Sequence, residues 1–284
     1  MISTAFAYAR ATSLDDALAR LKAANGGGKF IAGGHSLVPL MKLRLSEPQL
    51  LIDISRIPDL AGIRERDGKI TIGAATVHHD VATSSLLQAR CPAVSEAAAT
   101  IGDPQVRNRG TLGGSIAHAD PSADMPAVML ALNAEIHLKG PRGWRVVKAA
   151  DFFKDLFTVD MATDEIIVSV QFAPVRTAAY AKLYQRASHF AIVGVAAALE
   201  LSGGTIVSAR IGLTGAASHA RRLINVEQAL AGRPLSNEVL GLAAQVAGQD
   251  LQDVNSDIHA SADYRRAMIP VFTRRALTAA MARA

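Results

Sequence analysis

Apolar residues along this chain alternate between helical and strand spacing, and the switches between the two mark its elements. Leu14, Ala17, Leu18 and Leu21 share a helical face behind Ser13 and Asp16, a capping pair, and that helix ends at Gly26, Gly27 and Gly28. Residues 29–32 then predict a strand, Leu37, Leu40, Met41 and Leu45 a helix, and residues 51–54 a second strand. Together they form a β-α-β unit. Asp67 and Gly68, set between strands at 60–64 and 69–74, give a strong hairpin signal. Helices are expected over 77–87 and 93–101. Another is marked by Met125, Val128, Met129 and Leu132, with Pro126 in its first turn. A second hairpin turns at Gly140 and Pro141, and a strand over 165–172 closes this lobe. Long strands follow at 180–186, 191–201 and 205–213, then helices at 219–231, 236–247 and 263–282. Strands followed by helices predict an α+β chain. Its lobes are expected at 1–56, 57–177 and 178–284.

Two glycine-rich stretches interrupt these patterns. Lys29, Phe30, Ile31, Ala32, Gly33, Gly34, His35, Ser36 and Leu37 run from a strand through a turn into a helix, whose free N–H groups and positive dipole end suit an anion. Ser36 is placed to cap that helix. About seventy-five residues on, RNRGTLGGSIAHAD offers Gly110, Gly113 and Gly114, which free the backbone for φ > 0 and close approach to a ligand, and the hydroxyl of Thr111. Such a turn is an anion-binding concavity. The two turns together suit the two ends of one diphosphate.

IAGGHSLVPLMKLRL followed by TIGDPQVRNRGTLGGSIAHADPSADMPA resembles the paired flavin motifs of the FAD-binding medium subunit of molybdenum hydroxylases, the carbon monoxide dehydrogenase and xanthine dehydrogenase family. LIDISRI, TIGAATVHHDV, YAKLYQRASHFAIVGVAAAL and ARIGLTGAA extend the resemblance over essentially the whole chain. It implies a two-lobed, non-Rossmann FAD-binding domain of the PCMH or vanillyl-alcohol-oxidase kind, followed by a C-terminal domain of antiparallel sheet and helices. It carries cofactor contacts onto Ala32, Gly33, Gly34, His35, Ser36 and Leu37, with Lys29 just before them, and onto Thr111, Gly113 and Gly114. Asp124 matches an acid whose carboxylate accepts from the cofactor's hydroxyls. Ile101, Met161 and Lys182 align with positions near its adenine or ring system. Two departures are Phe190, where some relatives have tyrosine, and Ser115, where Asn or Asp is common.

The resemblance further implies molybdopterin on a large partner subunit and [2Fe-2S] clusters on a small one. Electrons would pass through FAD here to an external acceptor, in a dimer of heterotrimers. The isolated chain would be catalytically incomplete. The branch closest to the AGGHS and TLGG forms is carbon monoxide dehydrogenase.

Composition changes this picture in three places. One cysteine, Cys91, excludes an intramolecular disulfide and a cysteine-ligated cluster on this chain, and reads as a small buried thiol. A net charge of +5 raises nucleic acid as a partner. The C-terminal pairs Arg265 with Arg266 and Arg274 with Arg275 form no single stripe, however, and basic surface meeting a more acidic subunit explains the charge equally well. No basic-then-apolar leader follows Met1 and no apolar run spans a bilayer, so the expected location is cytoplasmic or peripheral to the inner face of the membrane. His78 and His79 read as a solvated helix start, His118 and Asp120 as loop hydrogen-bonding groups, and Arg107 and Arg109 as cofactor-phosphate or acidic-partner contacts. A stand-alone flavin oxidase or reductase and a basic nucleic-acid-binding or scaffold protein are the competing readings.

Overall fold

The Ser13 hydroxyl accepts from the N–H of Asp16 at 3.1 Å, and the Asp16 carboxylate takes the N–H of Thr12 at 2.9 Å and Arg20 Nε at 2.8 Å. This cap and ion pair start α1 (Leu14–Ala23), which lies between β1 (Ala7–Arg10) and β2 (Gly28–Ile31); α2 (Leu37–Lys42) then leads to β3 (Leu50–Asp53). The computed structural model describes residues 2–284. Its first sheet is parallel, in the order β1-β3-β2. β1 is a correction to the sequence reading. Ala7–Arg10 is mostly exposed and lacks apolar alternation, so only the open edge of β3 reveals it.

The second lobe has five antiparallel strands in the order β4-β5-β10-β6-β7: β4 (Ile63–Arg66), β5 (Lys69–Gly73), β6 (Glu135–Gly140), β7 (Gly143–Lys148) and β10 (Ile166–Phe172). The β4–β5 turn holds Asp67 and Gly68 both at positive φ, the left-handed pair that a two-residue hairpin needs. β10 does more than close this lobe. It lies at the centre of the sheet and joins two hairpins that are sixty residues apart in sequence, as its almost continuous burial demands. Between β5 and β6 run α3 (His78–Thr83), α4 (Ser85–Arg90), α5 (Pro92–Ala99), α6 (Pro104–Arg107), α7 (Leu112–His118) and α8 (Asp124–Ala131); between β7 and β10 lie α9 (Ala149–Phe152), β8 (Phe153–Asp155) and β9 (Thr158–Val159). The single helix expected over 77–87 is two. Ser84 takes an extended conformation between them, and its hydroxyl accepts from the N–H of Leu87 at 3.3 Å.

The third lobe is a meander, β11 (Ala178–Tyr184), β12 (Ala191–Ser202), β13 (Thr205–Thr214) and β14 (Arg221–Arg222), followed by α10 (Ile224–Leu230), α11 (Asn237–Gln245) and α12 (Ala262–Met281). The helix expected from 219 begins at Ile224, because Arg221 and Arg222 pair with β13 first. The basic-surface reading of the C-terminal arginines also needs correction. Arg265 is buried, donating to Ile192 O at 2.7 Å, Gly215 O at 2.8 Å and Asp257 at 2.6 Å, and Arg266 caps Leu251 O and Gln252 O. Arg266, Arg274 and Arg275 stay exposed.

The lobes meet through main chain as well as side chains. A Cβ on Gly212 of β13 would lie 2.0 Å from Ala127 O of α8, and Thr214 Oγ1 donates to Pro121 O and Ala123 O. Glu96 on α5 pairs with Arg283 and accepts from the N–H of Tyr180 at 3.0 Å. Cys91 is fully buried in the second-lobe core, and that burial pushes its thiol up to about 12. A disulfide reagent at pH 8 is therefore expected to titrate no thiol in the native protein and one per chain in denaturant. A reactive native thiol would contradict this packing.

Candidate functional site

The first glycine loop leaves β2 and enters α2, and its two glycines serve different ends. A Cβ on Gly33 would lie 2.1 Å from Arg109 O and 2.8 Å from Gly110 Cα, so this residue lets the first loop rest directly on the main chain of the second. Gly34 sits at φ +75°, where a side chain is strained. His35 Nε2 lies 3.3 Å from Gln105 O and ties the same two segments. Among the described residues, the N–H groups of Gly33, Gly34, His35 and Ser36 meet no main-chain acceptor. His35 and Ser36 are exposed, as is Lys29 at the start of the strand. Ser36 does not cap α2; its backbone is already helical and its hydroxyl is free. The loop thus presents a row of uncommitted donors.

The second loop works differently from the sequence reading. None of Gly110, Gly113 or Gly114 has positive φ. Glycine is required at 113 by contact, since a Cβ there would lie 2.5 Å from Ala74 Cβ, and at 110 a Cβ would crowd His78 at 3.0 Å. The N–H groups of Leu112 and Gly113 donate to Thr76 O and Ala74 O, at 3.0 and 2.8 Å. They are committed to the sheet. Thr111 caps α7 by accepting from the N–H of Gly114 at 3.1 Å, which leaves its own hydroxyl proton free. Gly114 is exposed beside it. Arg107 is committed through Nη1 to main chain. It donates to Ile101 O at 3.1 Å and Gly102 O at 3.0 Å, whereas Arg109 is exposed.

His78 corrects another reading. It is buried beneath the second loop, with Nδ1 unpartnered, while His79 and Asp80 are exposed. Burial, with His35 and Arg107 nearby, drives its pKa down to about 4. The unfolded chain binds a proton on this ring below its ordinary value of 6.5, and the folded chain does so only below about 4. Stability contributed by the neutral ring is therefore complete above 6.5 and is lost as pH falls through that window, by about 3 kcal/mol in all. Urea midpoints of wild type and His78→Leu between pH 7 and 4.5 test this. The variant's midpoint should fall less, and parallel curves would refute the assignment.

At the other end of the site, three carbonyls in succession are held by side chains. Lys182 Nζ donates to Thr100 O at 2.9 Å, Arg107 to Ile101 O and Gly102 O, and His189 Nδ1 lies 2.6 Å from Gly102 O. Lys182 and His189 come from the β11–β12 hairpin of the third lobe. Asp124, the first residue of α8, is buried, and its carboxylate accepts from Tyr180 and, at 3.0 Å, from Lys182 Nζ. It does not stand open to a ligand. Tyr180 reaches it because β12 carries Gly194, where a Cβ would lie 2.2 Å from the phenolic oxygen. Burial pushes Asp124 and Tyr180 up and Lys182 down, against the attraction between the carboxylate and the ammonium. Ile101 and Met161 are half-buried against the second-lobe core, giving the rim an apolar margin. His118 stacks on Phe157 with ring centroids 5.0 Å apart, and Phe190 is exposed.

Several of these roles escaped the sequence reading. The Asp103–Pro104 start of α6 was legible, since Asp103 accepts from the N–H of Val106 and Pro fills the first helical position. Tyr180, His189 and Gly194 gave no local signal. Among the described residues no three His, Cys, Asp or Glu side chains gather as metal ligands, and no helix is long and apolar enough to cross a membrane.

Known proteins share this arrangement. Residues 4–174 match the FAD binding domain in molybdopterin dehydrogenase, and residues 178–280 the CO dehydrogenase flavoprotein C-terminal domain. The carbon monoxide dehydrogenase medium chain of Hydrogenophaga pseudoflava is 41% identical over 286 residues, covering 100% of this chain and 99% of that one. The glyceraldehyde dehydrogenase medium chain of Sulfolobus acidocaldarius is 37% identical, covering 95% and 96%. A solved structure of the Hydrogenophaga pseudoflava carbon monoxide dehydrogenase, in a form lacking the Mo-pyranopterin moiety of the molybdenum cofactor, superposes with a TM-score of 0.94 over 100% of this chain and 99% of that one, at 42% identity. Glycine loops in contact, a third-lobe hairpin that holds the second-lobe turn and full-length similarity together place this chain among the FAD-binding medium subunits of the carbon monoxide dehydrogenase and xanthine dehydrogenase family of molybdenum hydroxylases.

Proposed function

We propose that this chain is the flavin relay of a three-subunit molybdenum hydroxylase, taking electrons from the [2Fe-2S] clusters of a small subunit and delivering them through FAD to an external acceptor. A large subunit carries the molybdopterin centre where substrate reacts, and two such trimers pair. The observation that carries this reading is the contact of Gly33 with Arg109 and Gly110, which sets a row of free N–H groups beside the exposed Gly114, next to the buried Thr111.

That donor set fits a dinucleotide diphosphate. The N–H groups of Gly33 to Ser36 and the hydroxyl of Ser36 would hold its oxygens, Lys29 and His35 would supply positive or donor edges, and Ala32 and Leu37 flank the turn. The Thr111 hydroxyl would donate its free proton, and Gly113 and Gly114 would keep the second loop low enough for close approach. Ile101 and Met161 give the ring system an apolar margin. Asp124 acts through Lys182, which anchors the Thr100 carbonyl and so fixes the turn that carries Ile101. FAD, when bound, supplies reversible electron storage, and the chain binds, orients and shields it.

The named relatives are medium chains of a carbon monoxide dehydrogenase and a glyceraldehyde dehydrogenase, and this chain aligns over nearly the full length of each. Substrate choice accordingly resides in the large subunit. Co-expression with the neighbouring reading frames tests the proposal. Flavin bands with iron–sulfur absorbance in a three-subunit complex are expected. A flavin-bearing homo-oligomer that turns over substrate alone would overturn it, as would a colourless protein that retains nucleic acid.

A further inference from the structure

The β8–β9 hairpin turns on residues that local chemistry disfavours. Asp155 pairs with Thr158, so Leu156 and Phe157 form the whole turn. Phe157 takes φ +50°, a left-handed backbone that favours glycine or asparagine and is an outlier for an aromatic residue. Both side chains also stay in solvent, Leu156 53% exposed and Phe157 50%. The turn is braced nonetheless. The Asp155 carboxylate accepts from the N–H of Leu156 at 2.8 Å, and the Thr158 hydroxyl donates to Leu156 O at 3.0 Å. A backbone strained to hold a phenyl ring out of the core breaks two local rules at once, and such breaks gather where a ligand makes use of them.

The ring does not stand alone. Phe157 lies against His118, with centroids 5.0 Å apart and planes tilted by 34°. His118 ends α7, whose first turn carries Gly113 and Gly114, and the helix sets it about 10 Å along the axis from the second glycine loop. Burial lowers the His118 pKa, Asp120 opposes that shift and Lys29 adds to it, so the imidazole is neutral at pH 7. Lys29 belongs to β2, the strand that feeds the first glycine loop. The pair is thus tied to the elements that carry both loops, yet stands a helix length away from the second. Met161 follows β9 by two residues and donates its N–H to Val159 O at 2.9 Å, so this apolar margin and Phe157 belong to one hairpin.

We propose that Phe157, backed by His118, is the stacking platform for the isoalloxazine ring of the flavin. This rests on the relay reading above. The ligand must be flat and aromatic, because an exposed phenyl ring already set on a second ring gains most from another ring stacked on it or meeting it edge to face. A flavin dinucleotide offers two such rings, and the exposure of the hairpin decides between them. Adenine needs only to be held, whereas the ring that passes electrons to an external acceptor must lie where that acceptor can reach it. A two-residue turn at the surface meets the second requirement.

The test uses the full chain loaded with FAD, and the co-expressed complex. Phe157→Trp sets an indole where the phenyl ring stands, and an indole in contact with an excited flavin quenches it by electron transfer, which a phenyl ring does not. Flavin fluorescence should fall severalfold with flavin content unchanged. Val207→Trp, at an exposed valine of β13, is the control and should leave the fluorescence as it is. Phe157→Gly separates stacking from folding. Glycine relieves the left-handed backbone, so the Tm of the flavin-free chain should hold or rise, while FAD binds about tenfold more weakly and its visible bands shift. A purely structural role would move the Tm alone. Unshifted bands with no quenching in Phe157→Trp would overturn the proposal, and weaker FAD binding beside them would put adenine on the pair instead. Loss of partner subunits from the complex with the flavin bands unmoved would also overturn it, making the hairpin an interface. A wild-type chain that takes up no flavin, alone or in the complex, would overturn the relay reading itself.

Discussion

Gly33→Ala should purify with less than about a tenth of the wild-type flavin while keeping its secondary structure. The added Cβ would lie 2.1 Å from Arg109 O and 2.7 Å from Arg109 C, both main-chain atoms that cannot rotate away as a side-chain tip would. The two glycine loops must then separate by roughly an ångström, and overpacking of this kind costs about 1–3 kcal/mol. The loss of flavin exceeds the loss of stability because the row of N–H donors in the first loop must stand at a fixed height beside Thr111 and Gly114 to share one diphosphate. Gly26→Ala is the matched control. It also places alanine where glycine is required, at φ +88°, but nothing lies within 4 Å of the new Cβ. It should cost about 1 kcal/mol of backbone strain and leave the flavin in place. The ratio of flavin to protein absorbance, measured with circular dichroism on the assembled protein, decides between them. Full flavin content in Gly33→Ala would show that the loops do not act as one site.

Lys182→Met should destabilise the protein by about 3–5 kcal/mol, the cost of leaving a buried charge without its partner. Asp124 is buried at the junction of the second and third lobes, and without the ammonium only Tyr180 faces its carboxylate. Its pKa, already raised by burial, must rise further. A carboxyl whose folded pKa lies above its unfolded one contributes full stability below the unfolded value of 3.8 and loses it as pH rises through the folded value. The penalty in Lys182→Met should thus be smallest in acid and grow toward neutrality. Adding Asp124→Asn removes the charge and should restore most of the loss, giving a positive coupling in a double-mutant cycle. Urea midpoints across pH measure all three proteins. An additive cycle, or a penalty that grows in acid, would refute the buried pair.

These two sites show how unevenly function was legible. AGGHS and TLGG stand out in the sequence because glycine, serine and threonine cluster between apolar runs, and local chemistry suffices to mark them as loops. The reasons for their glycines were not legible. Gly33 and Gly113 are required by atoms of Arg109 and Ala74, seventy-six and thirty-nine residues away, which no local pattern encodes. Asp124 likewise carries the same letter whether its carboxylate meets a ligand, a helix N-terminus or Lys182. His78 and His79 are adjacent, yet one is buried and one exposed, because a helix turns consecutive side chains to different faces.

The sequence by itself determined the α+β composition, most element positions, the left-handed hairpin turns and the pair of flavin-type loops, since each depends on interactions within a few residues. Tertiary structure alone decided the rest. It set β10 at the centre of its sheet, recruited β1 to an open edge, buried Arg265, and brought Lys182 and His189 onto the second-lobe turn and Tyr180 onto Asp124. Those outcomes follow from burial and pairing between segments far apart in the chain. Such energies belong to the assembled core and to no stretch of residues alone.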